Sequence, residues 1–495
     1  MKKILVKIKN YKPPKFLFIL LFFLVICCVF LNNKVLDNDI WFLLSHGKYV
    51  INHGIPNIEP FSMYENFSFI MQQWLSATIF YSIYYLFGKL GLRIFITFIY
   101  TLIIFILYKI TLLISNNKFY LASLITFIIS ICLIPFIVSR PQIFTYLILL
   151  LAIYLFELYI KTKKIKYLYF LPLLSLLLIN LHASMWFMLF LFLLPYYLSS
   201  FNFKIKFIKG EGYFNKHLII VLVLMFISGL INPYGIKAIT YLFTSYNIKE
   251  INDYILEMQP VLITTMDGKL DYFLILFVIT IYIIYKKGDL KLRYFLLLIG
   301  TIYLGIVHYK SYALFLLGGI FPLAYYLNPL FKEYQVRKRS CKYILSCLIV
   351  SFSMLALLIF TYLKTTPKDE YNYDTNNQKS IEYLEKNYSK DIKLYVNYDD
   401  GSYAMFKGFK VYIDPRAEVY LKSNNQQEDI YLEYYNLQHG SIKVEDFLTK
   451  YNFDILLLNE KDKIYIYLSE HDSNYEEVYK DDKCFVYQRK DYIKE

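Results

Sequence analysis

The feature that most constrains this chain is a series of apolar runs, each close to the length that crosses a bilayer. Residues 16–31, 95–114, 121–138 and 143–160 carry almost no charge, and about 20 apolar helical residues span the hydrocarbon core. In lipid the backbone must satisfy its own hydrogen bonds, so these runs are helices despite their many Ile, Phe and Tyr residues. The composition agrees: 57 % hydrophobic residues in a chain of 495 is too apolar for a soluble protein of that length.

A formal charge of +14 would ordinarily raise nucleic acid as a partner. Here the lysines sit in short loops between apolar runs, where they set orientation, and no nucleic acid is implied. The six cysteines form no framework: Cys27, Cys28, Cys132 and Cys347 lie inside apolar runs, Cys341 starts one, and only Cys484 falls near the C-terminus. No CxxC or paired His/Cys spacing suggests zinc, and His46 and His53, seven apart beside glycines, do not form a ligand pattern. The basic residues 1–15 before the first apolar run resemble a signal peptide. No small-x-small site follows, so the run is expected to stay as a first helix with a cytoplasmic N-terminus.

Orientation turns on residues 74–87. If they span, the loop bearing Lys161, Lys163, Lys164 and Lys166 lies outside, as do Lys204, Lys206, Lys209, Lys216, Lys332, Arg337, Lys338, Arg339 and Lys342. If they lie along the outer surface, all of these return to the cytoplasm, as the positive-inside rule demands. Trp74 and several tyrosines also suit the headgroup zone. The expected fold is therefore a polytopic α-helical membrane protein of about eleven transmembrane helices: 16–32, 92–114, 119–138, 142–160, 167–181, 184–201, 217–232, 271–286, 292–307, 311–328 and 343–364. Residues 1–364 form the membrane domain, with 33–91 as its first outer loop.

From residue 365 polar residues dominate. Strand-like alternation at 393–397, 410–413, 455–459 and 484–488, with helical patterns at 380–388, 429–437 and 444–451, predicts a small extracytoplasmic α/β domain over 365–495.

The first outer loop carries the densest chemistry, opening with Asp37-Asn38-Asp39-Ile40-Trp41 just beyond a membrane helix. A carboxylate at that boundary is either a solvated helix end or a functional group. As a functional group it could deprotonate an acceptor hydroxyl where lipid-borne molecules meet, although an Asp with a pKa of ~4 is a weak base at neutral pH. A phosphate leaving group would need cations on the same face. The expected topology offers Arg140 in Ser139-Arg140-Pro141-Gln142, His182 after Asn180, and Lys310 in His308-Tyr309-Lys310-Ser311. A lone arginine at a helix end is equally often a snorkelling anchor. Asp414, Arg416 and Glu418 follow a predicted strand, and form either a turn with a local ion pair or part of an acceptor site.

Several segments together resemble the GT-C superfamily of integral-membrane glycosyltransferases, which includes protein O-mannosyltransferases, lipid A aminoarabinose transferases and oligosaccharyltransferases. They are Asp37-Asn38-Asp39-Ile40-Trp41, Gly54-Ile55-Pro56, Glu59-Pro60-Phe61-Ser62, Gln73-Trp74-Leu75, Arg140-Pro141-Gln142, Asn180-Leu181-His182, Asn232-Pro233-Tyr234-Gly235 and Ile255-Leu256-Glu257. Tyr398-Asp399-Asp400-Gly401-Ser402-Tyr403 and Ile413-Asp414-Pro415-Arg416-Ala417-Glu418-Val419-Tyr420 resemble a poorly characterised bacterial branch.

The resemblance implies juxtamembrane helices in the first loop, a catalytic acidic residue there, and transfer of a hexose or pentose from a polyprenyl-phosphate donor to an extracytoplasmic glycan, lipid or protein. Asp39 is the expected base, with Asp37 second. Arg140, Lys310 and His182 are expected at the donor phosphate, and Glu59, Trp41, Trp74, Glu257, Asp414 and Arg416 at substrate. Two positions depart from the branch: Glu59 where Asp is expected, and Lys310 where Arg is common. The Trp-Trp-Asp-Tyr-Gly signature of oligosaccharyltransferases is missing, so a peptide acceptor is not implied. No cofactor is certain; some relatives use a divalent cation such as Mg or Mn, so a metal is left open. The competing expectations are a transporter or flippase of lipid-linked sugars, and a polysaccharide polymerase or ligase. The first would place charges near the bilayer midplane, and the second would show a long late outer loop rather than a long first one.

Overall fold

The long uncharged runs form helices, and the breaks between them fall at residues that cannot continue one. The computed structural model describes residues 15–33, 36–205, 208–245, 259–262, 264, 266–284, 290–330, 375, 377–471 and 473–493. In chain order the helical part comprises α1 (Lys15–Asn32), α2 (Ile40–His53), α3 (Trp74–Ile114), α4 (Phe119–Leu133), α5 (Gln142–Thr162), α6 (Leu171–Leu181), α7 (Trp186–Ser199), α8 (Lys216–Gly229), α9 (Ile236–Ser245), α10 (Met266–Ile284), α11 (Leu292–Val307), α12 (Tyr312–Gly318) and α13 (Leu323–Tyr326). Among the described residues, four helical stretches are long and apolar enough to cross a membrane: Lys15–Asn32, Trp74–Ile114, Phe119–Phe136 and Gln142–Thr162. Shorter apolar helices cover Ile165–Leu181, Ala183–Ser199, Lys216–Gly229 and Leu292–Val307. The expected spans coincide with helices as far as 217–232, and again at 271–286 and 292–307. The expected span at 343–364 and the boundary at 364/365 lie outside the described residues.

One expected span departs. Residues 311–328 do not form a continuous helix: α12 stops at Gly318, and α13 begins only after Pro322. Two consecutive glycines have low helix propensity and Pro322 lacks the N–H that a helix needs.

Residues 74–87 are separated from the helix that follows. Gly88, at φ 60° and ψ −157°, breaks α3 into two parts. That left-handed backbone disfavours any side chain although the space around it is open. The front half of α3 packs against α2 at very short range: a Cβ on Gly47 would stand 2.2 Å from the Ala77 carbonyl oxygen. The first loop therefore contains two helices pressed together, followed by a kink into the long apolar helix.

The C-terminal region contains α14 (Gln378–Asn387), α15 (Gly401–Phe406), α16 (Lys422–Asn425), α17 (Ile430–Gln438), α18 (Val444–Tyr451) and α19 (Lys463–Glu470). β1 (Lys204–Ile205), β2 (Ile208–Lys209) and β3 (Leu290–Lys291) form a small separate sheet. The C-terminal sheet comprises β4 (Leu394–Val396), β5 (Ile455–Asn459), β6 (Tyr475–Lys480) and β7 (Cys484–Arg489) in the order β4-β5-β7-β6. β4 and β5 run parallel, and the other two pairings are antiparallel.

The strand expected at 410–413 is reduced to single bridges. Val411 pairs with Leu394 on one side and with Ser62 of the first loop on the other. That loop thus continues the edge of the C-terminal sheet, and its Phe67, Phe69 and Met71 share a core with Tyr395, Tyr412 and Tyr420.

Candidate active site

Asp37, Asp39 and Arg140 converge. Arg140 Nε lies 2.7 Å from Asp37 Oδ1 and 3.1 Å from Asp39 Oδ2. Asp37 Oδ1 also accepts the backbone N–H of Asp39 at 3.1 Å, which fixes the turn leading into α2. Asp39 is the N-cap of α2 but makes no side-chain capping bond, so its carboxylate faces Arg140 at the favourable end of the helix dipole. Arg140 reaches this point because it immediately precedes Pro141, the N-cap of α5. The carboxylates and the arginine, assigned in the sequence to opposite ends of a reaction, are in direct contact. All three side chains retain access to solvent.

His182 lies between α6 and α7, where its Nδ1 meets Thr145 Oγ1 at 2.8 Å. Burial, and secondarily the charge of Lys310, lower its pKa to about 3. At neutral pH it is an uncharged hydrogen-bonding group, which revises its expected role as a phosphate-binding cation. Lys310, on the 3-10 turn Tyr309–Ser311, is partly buried, and its charge reaches both His182 and Glu418. Glu418 is half-buried on the C-terminal side, and burial raises its carboxyl above the usual range against the lowering effects of Arg416 and Lys310. Burial first, then the nearby charges of Tyr431, Glu418, Asp39 and Asp399, raise the Tyr398 hydroxyl. Tyr398 thus marks where the two halves of the molecule meet.

Glu59, Asp414 and Arg416 also come together, but in a closed cluster rather than facing a cleft. Arg416 bonds Asp414 through Nε at 2.8 Å and Nη2 at 2.6 Å, and Nη1 lies 2.9 Å from Glu59. Nη1 also stands 3.1 Å from His46 Nε2, and Tyr420 donates to Asp414 at 2.5 Å. A guanidinium can only donate, so Nε2 accepts and His46 is neutral with its proton on Nδ1. Burial, followed by the Arg416 charge, depresses its pKa accordingly. Glu59 Oε2 accepts the N–H groups of Phe61 and Ser62, bracing its own turn. With Glu59, Asp414 and Arg416 sealed against one another, their expected contact with substrate gives way to a joint between the first loop and the C-terminal domain.

The tryptophans are also engaged within the protein. Trp41 is buried, its ring packed edge-on to Tyr403 and tilted against Phe406. Trp74 donates to Asn180 Oδ1 at 3.1 Å. The Asn232-Pro233-Tyr234-Gly235 turn docks on the first loop, with Tyr234 donating to the Pro56 carbonyl at 2.8 Å. Glu257 lies outside the described residues. Sequence reasoning passed over Asn38, Ser402 and Thr145, because their partners lie 37 to 364 positions away and no local pattern marks them. Among the described residues no group of three His, Cys, Asp or Glu side chains could hold a metal ion.

No protein-family model matches the sequence, and no curated protein does. The fold, however, is similar to that of solved oligosaccharyltransferases from Archaeoglobus fulgidus. A structure tethered by a disulfide to an acceptor peptide containing the NVT sequon aligns with TM-score 0.57 at 12 % identity, covering 96 % of this chain and 74 % of that one. The archaeal oligosaccharyltransferase AglB in complex with an inhibitory peptide and a dolichol-phosphate gives 0.58 at 10 % identity, over 90 % and 69 %. The apo form gives 0.56 at 11 % identity, over 89 % and 69 %. The fold is oligosaccharyltransferase-like. Its mostly helical body carries several candidate membrane spans and ends in a small mixed-sheet domain.

Proposed function

We propose that this chain is a membrane glycosyltransferase that moves a sugar from a polyprenyl-phosphate donor to an acceptor at the extracytoplasmic face. The observation that carries this reading is the convergence of Asp37 and Asp39 on Arg140, each partly exposed, in a fold shared with enzymes solved with dolichol-phosphate or an acceptor peptide. The positive-inside rule, applied to the lysine-rich loops, puts this site and the C-terminal domain outside and the N-terminus in the cytoplasm.

In this mechanism Asp39 accepts the proton of an acceptor hydroxyl as its oxygen bonds to the anomeric carbon. The bond from that carbon to the phosphate oxygen breaks, and the electron pair leaves with the lipid phosphate. Arg140 and Lys310 stabilise that charge, the first with a planar fork and the second as a point charge. An arriving phosphate competes with the two carboxylates for Arg140. Drawing the guanidinium away leaves Asp39 less neutralised and a stronger base at the moment the acceptor needs one. Asp37, which holds the Asp39 N–H, orients the pair.

A divalent cation fits this donor set poorly: two carboxylates already share a guanidinium, and the described residues add no third His, Cys, Asp or Glu to them. A transporter or flippase of lipid-linked sugars, and a polymerase or ligase, remain the alternative functions, but no particular contact favours either. The test is transfer from a radiolabelled polyprenyl-phosphate sugar in membranes. Asp39→Asn should lower the rate by about 100- to 10,000-fold without loss of folded protein; full activity in that variant would refute the assignment of the base.

A further inference from the structure

Asn38 stands between the two carboxylates, and the reaction proposed above gives it no part. Its side-chain amide donates to the Asp399 carbonyl, and its own carbonyl accepts from Ser402 Oγ at 3.1 Å. These partners lie 361 and 364 positions further along the chain, on the C-terminal domain.

Both partners are themselves held firmly. The Asn397 side chain accepts the Asp400 N–H at 3.1 Å and thereby fixes the turn from which the Asp399 carbonyl projects. Ser402 is fully buried on α15. That helix lies so close to the segment before Asp414 that a Cβ on Gly401 would stand 2.3 Å from the Ile413 carbonyl oxygen. On its other side, Tyr403 and Phe406 pack on the Trp41 ring with centroids 4.9 and 5.1 Å away.

The first turn of α2 starts from these same residues. The carbonyls of Asp37, Asn38 and Asp39 accept the N–H groups of Ile40, Trp41 and Leu43 at 3.1, 3.3 and 3.3 Å. A rotation of Asn38 would therefore swing both neighbouring carboxylates, one peptide away on each side, off Arg140.

We propose that Asn38 is a positioning residue: it holds Asp37 and Asp39 in register with Arg140 by using the C-terminal domain as a rigid reference. That domain then sets the geometry of the carboxylates. The catalytic consequence rests on the glycosyltransferase reading; the mechanical clamp does not.

Two measurements separate these. In hydrogen exchange read by mass spectrometry, Asn38→Ala should accelerate exchange in a peptide covering residues 36–44. Peptides from β5 and β7 should stay as protected as in the wild type, showing that the domain is intact. In the transfer assay, Asn38→Ala and Ser402→Ala should each lower kcat about tenfold, with KM for the donor within about twofold, since misplacement affects the transition state more than ground-state binding. The double variant should fall by less than the product of the two losses, because both bonds serve one residue. Unchanged exchange at 36–44, an unchanged kcat, or a raised KM at constant kcat would each overturn the proposal. If the wild type transfers no lipid-linked sugar, the glycosyltransferase reading fails, while the exchange measurement still decides whether the clamp exists.

Discussion

Two clusters in this molecule are built from the same parts, two carboxylates around an arginine, and they differ in access to water. At the first, the side chains of Arg140, Asp37 and Asp39 are 13 %, 19 % and 25 % exposed, with Arg140 Nε within 3.1 Å of both carboxylates. At the second, Arg416 is 2 % exposed and Asp414 and Glu59 are fully covered; Nε and both terminal nitrogens have protein partners. Burying three charges requires that hydrogen bonds compensate the lost hydration, and the fork onto Asp414 does so. A side chain so completely engaged is a joint. One that keeps contact with water can change partners, as chemistry requires. The pair teaches that residue type alone does not separate a site from a rivet; desolvation does. At the opposite end of α5 an intermediate case occurs: Arg293 and Glu157, both buried, pair at 3.0 Å, and Arg293 also contacts the partly exposed Glu211.

The largest expected effect tests the joint. Arg416→Met leaves Asp414 and Glu59 buried without a cation, and breaking a buried pair from one side costs about 3–5 kcal/mol. Thermal unfolding in detergent should show a large fall in Tm. A variant that kept its Tm yet lost sugar transfer would break the comparison and return the closed cluster to the active site. The reverse pattern is expected at the open cluster. Arg140→Lys keeps the charge and loses the planar fork; stability should change by less than about 1 kcal/mol because the pair is solvent-accessible. The transfer rate should fall about 100-fold, the low end for removing one donor at developing charge. Equal loss of stability in both arginine variants would erase the distinction.

Much of this was legible in the sequence, for reasons that also mark where legibility ended. The apolar runs gave the helices because lipid leaves the backbone no other option, and lysine placement separated residues 74–87 from the helix that follows Gly88. The apolar content of 311–328 masks the break that Gly318, Gly319 and Pro322 impose. β6 escaped notice because Tyr-Glu-Glu-Val-Tyr-Lys is an edge strand with only Tyr475 buried, so no buried face imposes alternation. Asp37, Asp39 and Arg140 were each identifiable as candidates, but a contact across 103 positions leaves no local trace. Nor does the one between His46 and Arg416, across 370.

The smallest expected effect concerns a carboxylate that belongs to neither cluster. Asp400 lies beside Asp399, one peptide from the carbonyl that Asn38 engages, and no arginine or lysine pairs with it among the described residues' salt bridges. Burial, then the Asp399 charge, raise its pKa to about 6, against the lowering effect of its hydrogen bonds with Asn459 and Asn397. Asp462, at the N-cap of α19, is also raised to about 6 by burial. In the unfolded chain both return to about 4. Between those values the folded state holds protons that the unfolded state has released, so stability is greatest below pH 4 as far as these two groups are concerned. It falls as pH rises through about 4 to 6, and the loss persists above that window. This is the opposite sign to an Asp held by an arginine, whose contribution is lost as pH falls. Asp400→Asn should therefore raise Tm at pH 7 relative to the wild type and reduce, without abolishing, the decline in Tm between pH 4 and 6, because Asp462 still titrates. Transfer should persist, since Asp400 has no part in the proposed chemistry. An Asp400→Asn variant whose Tm declines between pH 4 and 6 as steeply as that of the wild type would show that the folded protein does not raise this carboxylate's pKa.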